Sequence, residues 1–389
     1  MKLSTPHIKN QDLSSVKKVL KNEWISTSSK AVYDFEKKLS RFCGSKYSVA
    51  LNSGTSAIHL GLKILGVGED SEVIVPSITF IATVNPILYL GAKPIIFDVD
   101  RFHNIKINDV INFINKKTKF ENNYTINKKT KKRIKVLIVA HMWGRGCDFL
   151  KLKKLCKEKN IYILEDAAEA LGSFIKHKSN RLNHCGSLGD IGCLSFNANK
   201  IITTGSGGAI LTNNKNFYKK AQYLSTQSKD DAFNYIHNEC GYNYKMNGLS
   251  AALGLSQLKR INKKISLRKK INQRYIHNFR NLQNIDILPF NSESKSNYWI
   301  NIIIFNKLNF NQIRKLSYKL LKNKIETRRI WRPLNLQSYL KKYETYRIVD
   351  AHKFYTKSLC VPSDDNLTFS QVDKISNCIK KYYKKIRMI

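Results

Sequence analysis

With 389 residues, 42% of them hydrophobic and 25% charged, the chain has an ordinary globular balance and is long enough for one large domain plus a smaller one. No stretch approaches the roughly 18 uninterrupted apolar residues of a membrane-spanning helix, and Met1-Lys2-Leu3-Ser4-Thr5-Pro6-His7 has no apolar run after its charge, so neither a membrane span nor a signal peptide is expected. The net charge of +40, from 68 Lys and Arg against 28 Asp and Glu, raises nucleic-acid binding as one hypothesis, but the basic residues are scattered without a nucleic-acid motif, and drift in composition is the preferred account.

In chain order, Tyr47–Leu51 reads as a strand and 55–65 as a helix; 72–76 is a strand, 80–90 a helix and 94–98 a strand. The basic run Lys128 to Arg133 reads as a solvated loop before a strand at 135–141, followed by an amphipathic helix at 148–159 and a buried strand at 161–164. Two further short strands fall at 192–196 and 209–212. Strands alternating with helices argue for an α/β domain with a mostly parallel sheet. After about residue 255 the texture changes: a long basic helix at 258–282, a strand at 298–305 and a helix at 310–323 predict a smaller α+β domain. The expected division is 1–255, with an N-terminal arm at 1–30, and 256–389.

The eight cysteines are dispersed and form no CxxC pair, which in a cytosolic chain reads as reduced, mostly buried thiols, and no metal site is expected.

In open α/β sheets ligands sit at the carboxyl ends of strands, and three such ends carry chemistry. Asn52-Ser53-Gly54-Thr55-Ser56-Ala57 can be a helix start that binds an anion or a tight turn with an ordinary N-cap. Glu165-Asp166-Ala167-Ala168-Glu169 can offer Asp166 to a cation, or simply be acids favoured at a helix N-terminus. Ser195-Phe196-Asn197-Ala198-Asn199-Lys200, ahead of a Gly-rich stretch, places one lysine in small apolar surroundings; a lysine taken out of water can form a Schiff base, while composition alone would make it another surface lysine.

Taken together, in this order and spacing, these segments resemble the DegT/StrS-type sugar aminotransferases, fold-type I enzymes dependent on pyridoxal phosphate (PLP). The resemblance covers essentially the whole chain, and 189–209 is its most specific stretch. It implies an α/β fold with a large domain, whose mostly parallel mixed sheet lies between helices, and a small C-terminal α+β domain. It implies Lys200 as the Schiff-base lysine and Asp166 as the acid paired with the pyridine nitrogen. Glu169 falls near the ring oxygen and the substrate; Gly54, Thr55, Ser56 and Ser195 at the phosphate; Phe80 stacked on the ring; and Asn199 among the cofactor contacts. Asn243, in Gly241-Tyr242-Asn243-Tyr244, matches a residue that reaches the cofactor phosphate of a neighbouring subunit, which implies a homodimer with shared active sites. Trp24 and Arg328 are candidate substrate contacts. A lysine rather than histidine at 200 keeps the aminotransferase reading over that of dehydratase relatives.

The activity so implied is transfer of an amino group from glutamate, through pyridoxamine phosphate, to C4 of a nucleotide-linked 4-keto-6-deoxy sugar in the cytoplasm. Segments at 223–229, 237–244 and 326–337 are similar to enzymes acting on UDP-linked N-acetyl sugars; a GDP-4-keto-6-deoxymannose aminotransferase that makes perosamine is the alternative. The chain departs from the pattern at Arg329, Asn335 and Asp364, where Pro, His and Gly are expected. His59 is expected to be a packing residue, and His141, Trp143 and Arg145 can be a pocket wall or a plain loop.

Overall fold

The computed structural model describes residues 1–176 and 182–387. Its central sheet holds strands β1 (Tyr47–Leu51), β2 (Ser71–Pro76), β3 (Lys93–Phe97), β4 (Arg133–Ala140), β5 (Tyr162–Asp166), β6 (Ile191–Ser195) and β7 (Gly208–Thr212). Their order is β1-β7-β6-β5-β4-β2-β3. All run parallel except β7, which is antiparallel to both β1 and β6. The strands are near-continuous apolar runs because helices cover both faces. Along β4, Leu137 and Val139 enter one core while Val136 and Ile138 enter the other. Parallel strands bring their carboxyl ends to one edge, so the loops after β1, β2, β4, β5 and β6 meet there, beside the start of β7.

Three helices precede or follow β1: α1 (Asn10–Lys21), α2 (Lys30–Cys43) and α3 (Gly54–Ile64). The expected arm at 1–30 therefore contains a helix. In α1 Leu13 and Leu20 are exposed and Val19 packs half-buried against the core, while the fully buried residue is Asp12, which accepts from Gln257 Nε2 at 2.9 Å and pairs with Arg260. The helix expected at 80–90 is broken into a 3₁₀ turn, Ile81–Thr83, and a short helix, Asn85–Tyr89. Pro86 lacks the N–H that would continue the ladder. The long basic helix expected at 258–282 is found as Ile261–Phe279, preceded by a further helix, Gly248–Leu258.

The C-terminal part forms an antiparallel sheet in the order Ile285–Ile287, Asn301–Phe305, Ser358–Val361, Arg328–Arg329. Helices Ile261–Phe279, Phe310–Lys322 and Phe369–Arg387 pack against it, through residues such as Tyr275, Leu316 and Ile375. Helix Ile261–Phe279 begins in the core of the central sheet at Ile261 and ends in this second core at Phe279. We keep the division after residue 255 as a proposal, with this helix as the bridge. A second tie is Asp98, just past β3, which accepts the N–H groups of Val349, Asp350 and Ala351 at the start of helix Asp350–Lys357. Burial works against its charge, but Lys106 at 2.7 Å and these N–H groups hold the carboxyl below its ordinary range.

Candidate active site

The turn from β1 into α3 is set by Ser53, whose Oγ accepts the Ser56 N–H at 3.0 Å as N-cap. Ser56 Oγ in turn donates to Asn52 Oδ1 at 2.7 Å, so Ser56 serves the helix start and does not line the cavity described below. Gly54 and Thr55 head the helix, where N–H groups have no intrahelical acceptor and the dipole favours an anion. A Cβ on Gly54 would stand 2.8 Å from the Cβ of Ser195, so only glycine lets the helix start approach the end of β6.

The two acids ending β5 point to opposite faces, as successive strand residues must. Glu165 is fully buried and accepts from the N–H groups of Gly186, Leu188 and Gly189 and from His141 Nε2 at 2.8 Å. His141 Nδ1 accepts the Cys147 N–H at 3.0 Å, so the ring proton is on Nε2. Glu165 is thereby a scaffold for the 186–189 loop. Asp166 faces the open side. Its Oδ2 accepts from Thr83 Oγ1 at 2.6 Å and its Oδ1 from the Ala168 N–H at 3.1 Å. Thr83 is itself linked to Thr79 Oγ1 at 2.6 Å.

Lys200 is buried at 9% exposure, with Nζ 3.7 Å from Glu169 Oε1 and 4.2 Å from the centre of the Trp299 ring. Glu169 Oε2 accepts the main-chain N–H of Trp143 at 2.7 Å, and its Oε1 accepts Trp331 Nε1–H at 3.2 Å. Burial pushes the Glu169 carboxyl above its usual range, against the pull of Lys200 and the Trp143 N–H. Trp143 stacks between Trp299 and Trp331, with ring centroids 6.4 and 5.4 Å away.

These groups meet at a cavity of about 370 Å³. Of the residues anticipated from sequence, Gly54, Thr55, Phe80, Asp166, Glu169, Ser195, Asn199, Lys200 and Arg328 all line it. Trp24, 61% exposed, does not, nor does Asn243, whose carbonyl accepts from Asn52 Nδ2 at 3.1 Å. His141 lines it with both ring nitrogens engaged; Trp143 lies behind it, and Arg145 turns away to the carbonyls of Leu288 and Pro289. His59 packs against Tyr242 and Tyr244, outside the cavity. Thr83 and Trp331 also line the cavity; the sequence singles out neither as a site residue, although Trp331 lies in the segment 326–337 noted for its similarity. None of the departures Arg329, Asn335 and Asp364 lines it: Arg329 lies over the rings of Phe310 and Tyr355, Asn335 bonds His352 at 2.8 Å, and Asp364 accepts the Thr5 N–H at 2.9 Å.

The model of the DegT/DnrJ/EryC1/StrS aminotransferase family matches residues 6–380. GDP-perosamine synthase of Escherichia coli O157:H7 is 32% identical over 97% of this chain and 97% of its own length. UDP-4-amino-4,6-dideoxy-N-acetyl-beta-L-altrosamine transaminase of Campylobacter jejuni (strain 81-176) is 28% identical over 99% of this chain and 98% of its own. Among solved structures, the PLP form of Spr1654 from Streptococcus pneumoniae superposes with a TM-score of 0.88 at 26% identity, covering 99% of both chains. The chain belongs to the DegT/DnrJ/EryC1/StrS aminotransferase family and is a PLP-dependent enzyme of the fold-type I class.

Proposed function

We propose that this aminotransferase carries an amino group from glutamate to C4 of a nucleotide-linked 4-keto-6-deoxy sugar, and that the sugar is UDP-linked and N-acetylated. The observation that carries the reading is the convergence of Lys200, Asp166 and the start of α3 on one cavity. The residues fit the cofactor. Free N–H groups of Gly54 and Thr55, with Ser195 beside them, suit a phosphate; Asp166, with an open lone pair on each oxygen, suits a protonated ring nitrogen; and Lys200 stands at the same cavity. The buried Asn199 Oδ1, without a partner among the described residues, is a further acceptor available there. The gap that a Cβ on Gly54 would fill is where helix start and Ser195 come together.

PLP, when bound, supplies an electron sink through which an amino group can pass between two carbon centres. The chain's own part is positional and electrostatic. Lys200 Nζ is the base that takes a proton from the donor carbon and returns one in the sugar half-reaction. Glu169 steadies the charged amine at 3.7 Å. Asp166 holds positive charge at the ring nitrogen, and the Thr83 hydroxyl and Ala168 N–H fix its carboxylate plane. Arg328, 56% exposed by its side chain at the cavity and paired with Glu326 at 2.9 Å, offers a bidentate fork to the diphosphate of the sugar or the carboxylate of glutamate. We also propose a homodimer in which Asn243 completes the neighbour's phosphate site; light scattering at twice the chain mass supports it, and a monomer at micromolar concentration sinks it.

The perosamine reading remains the specific rival, favoured by the 32% identity to a GDP-perosamine synthase. An absorbance titration separates the two. Glutamate should bleach the visible band of the PLP-loaded protein, and a UDP-linked 4-keto-6-deoxy-N-acetylglucosamine should restore it. Restoration by GDP-4-keto-6-deoxymannose alone transfers the assignment to perosamine. A protein that develops no visible band with PLP overturns the use of Lys200.

Gly54→Ala offers a check on the phosphate end. The added methyl meets Ser195 at 2.8 Å and forces the helix start away from β6. PLP affinity is expected to fall about tenfold or more, as positioned anion contacts are lost. Unchanged affinity by equilibrium dialysis would place the phosphate elsewhere.

A further inference from the structure

Lys200 is held at two points by one side chain. The indole Nε1–H of Trp299 donates to the carbonyl of Asn199 at 2.8 Å, the peptide that carries Lys200. The face of the same indole lies under the amine, with Nζ 4.2 Å from the ring centre. A ring face attracts an ammonium without fixing its direction, so it gives the amine a resting place from which it can swing. The carbonyl of Asn199 also accepts from Ser4 Oγ at 3.1 Å.

Trp299 is in turn framed rigidly. Its carbonyl accepts from Arg268 Nη1 at 2.8 Å and its N–H donates to Asn297 Oδ1 at 3.0 Å. Asn297 Nδ2 donates to the main-chain carbonyls of Glu169 and Leu171, both at 2.9 Å. Asn297 is packed so tightly under the 143–144 turn that a Cβ on Gly144 would stand 1.8 Å from its Oδ1. One short segment, 297–299, therefore bonds the carbonyls of both Glu169 and Asn199, the residue before Lys200, and ties the two stretches of chain together. The 2% exposure of Trp299 would also suit a plain core residue, but core packing alone needs neither the Nε1–H bond nor the amine over its face.

We infer that Trp299 is a positioning residue for Lys200, holding its peptide through Nε1–H and its amine through the indole face, so that Nζ returns to the same place after each proton transfer. The inference rests on the assignment of Lys200 as the base. Three variants divide the two contacts. Trp299→Phe keeps a ring face and loses the donor; Trp299→Leu loses both; Ser4→Ala removes the second donor to Asn199 together with a long 3.4 Å contact to Arg268, leaving the indole itself unchanged.

The test follows thermal midpoint, PLP uptake by visible absorbance, and the single-turnover rate with saturating glutamate and with α-deuterated glutamate. Trp299→Leu is expected to take up PLP several-fold more slowly and to lose roughly tenfold to a hundredfold in the single-turnover rate, because a misplaced base is costly. Its deuterium isotope effect should rise, while the glutamate concentration for half-saturation stays within about threefold. Trp299→Phe should fall between it and wild type, and Ser4→Ala should lose about twofold. A purely structural Trp299 would lower the thermal midpoint and leave uptake, rate at saturation and isotope effect unchanged in the loaded protein; that result overturns the inference. Should Trp299→Leu fail to fold, an isotope effect in Trp299→Phe equal to wild type overturns it as well. Wild type that takes up no PLP brings down the assignment of Lys200 itself, and this inference with it.

Discussion

Replacing Lys200 with alanine is expected to lower aminotransferase turnover by about ten-thousandfold, the upper range for loss of a positioned acid–base group. The same variant should fail to develop the visible band when PLP is added. The geometry explains why no neighbour can stand in. Lys200 Nζ has one carboxylate, Glu169, within 4.0 Å among the described residues, and the carboxylate oxygens of Glu169 are already engaged by the Trp143 N–H and the Trp331 indole. Lys200→Arg should be as inactive as alanine, because a guanidinium keeps its proton at any working pH. A small primary amine added to Lys200→Ala should restore a minor fraction of the rate, since the cavity opened by the deletion can hold it. Full turnover in either variant, measured with glutamate and the keto sugar that wild type accepts, would remove Lys200 from the chemistry.

Asp166→Asn is the second large effect. The amide keeps the size of the side chain and can still accept from the Ala168 N–H, but it carries no charge to hold a proton on the ring nitrogen. A loss of about a hundred- to a thousandfold is expected in both half-reactions, the usual cost of removing one preorganised electrostatic group. Thr83→Val, which removes the 2.6 Å hydrogen bond to Oδ2 while keeping a branched side chain, should cost about tenfold. Single-turnover rates with saturating glutamate, and then with the keto sugar, give the measurement. An Asp166→Asn variant within threefold of wild type would mean that another group holds the ring proton.

Much of this enzyme is set locally by its sequence. The central strands β1 to β7 lie where apolar runs fall, because a sheet covered on both faces can use little else, whereas the polar hairpin Thr118–Glu121 and Tyr124–Asn127 carries no such run. Gly54, Asp166, Ser195 and Lys200 could be read from motifs because each lies at or just beyond a strand end, where the fold class puts ligands. Glu169 follows from the same segment. Local pattern misled where the backbone chemistry or the docking partner was decisive: Pro86 splits a helix that its neighbours support, and the acid Asp12 of α1 is buried against Gln257 and Arg260, partners far away in sequence.

What only the tertiary structure decided is how these groups are held. Thr83 meets Asp166 across 83 residues of chain, Trp299 meets the Asn199 carbonyl across 100, and Trp331 meets Glu169 across 162. A helical or strand period describes neighbours within a few residues, whereas a hydrogen bond between distant segments depends on the direction in which the closed fold presents a donor. The sequence by itself therefore determined which residues stand at the strand ends. Packing of the C-terminal part against the central sheet brought Trp299 and Trp331 to stack on Trp143, where they meet Lys200 and Glu169, contacts that no local pattern encodes.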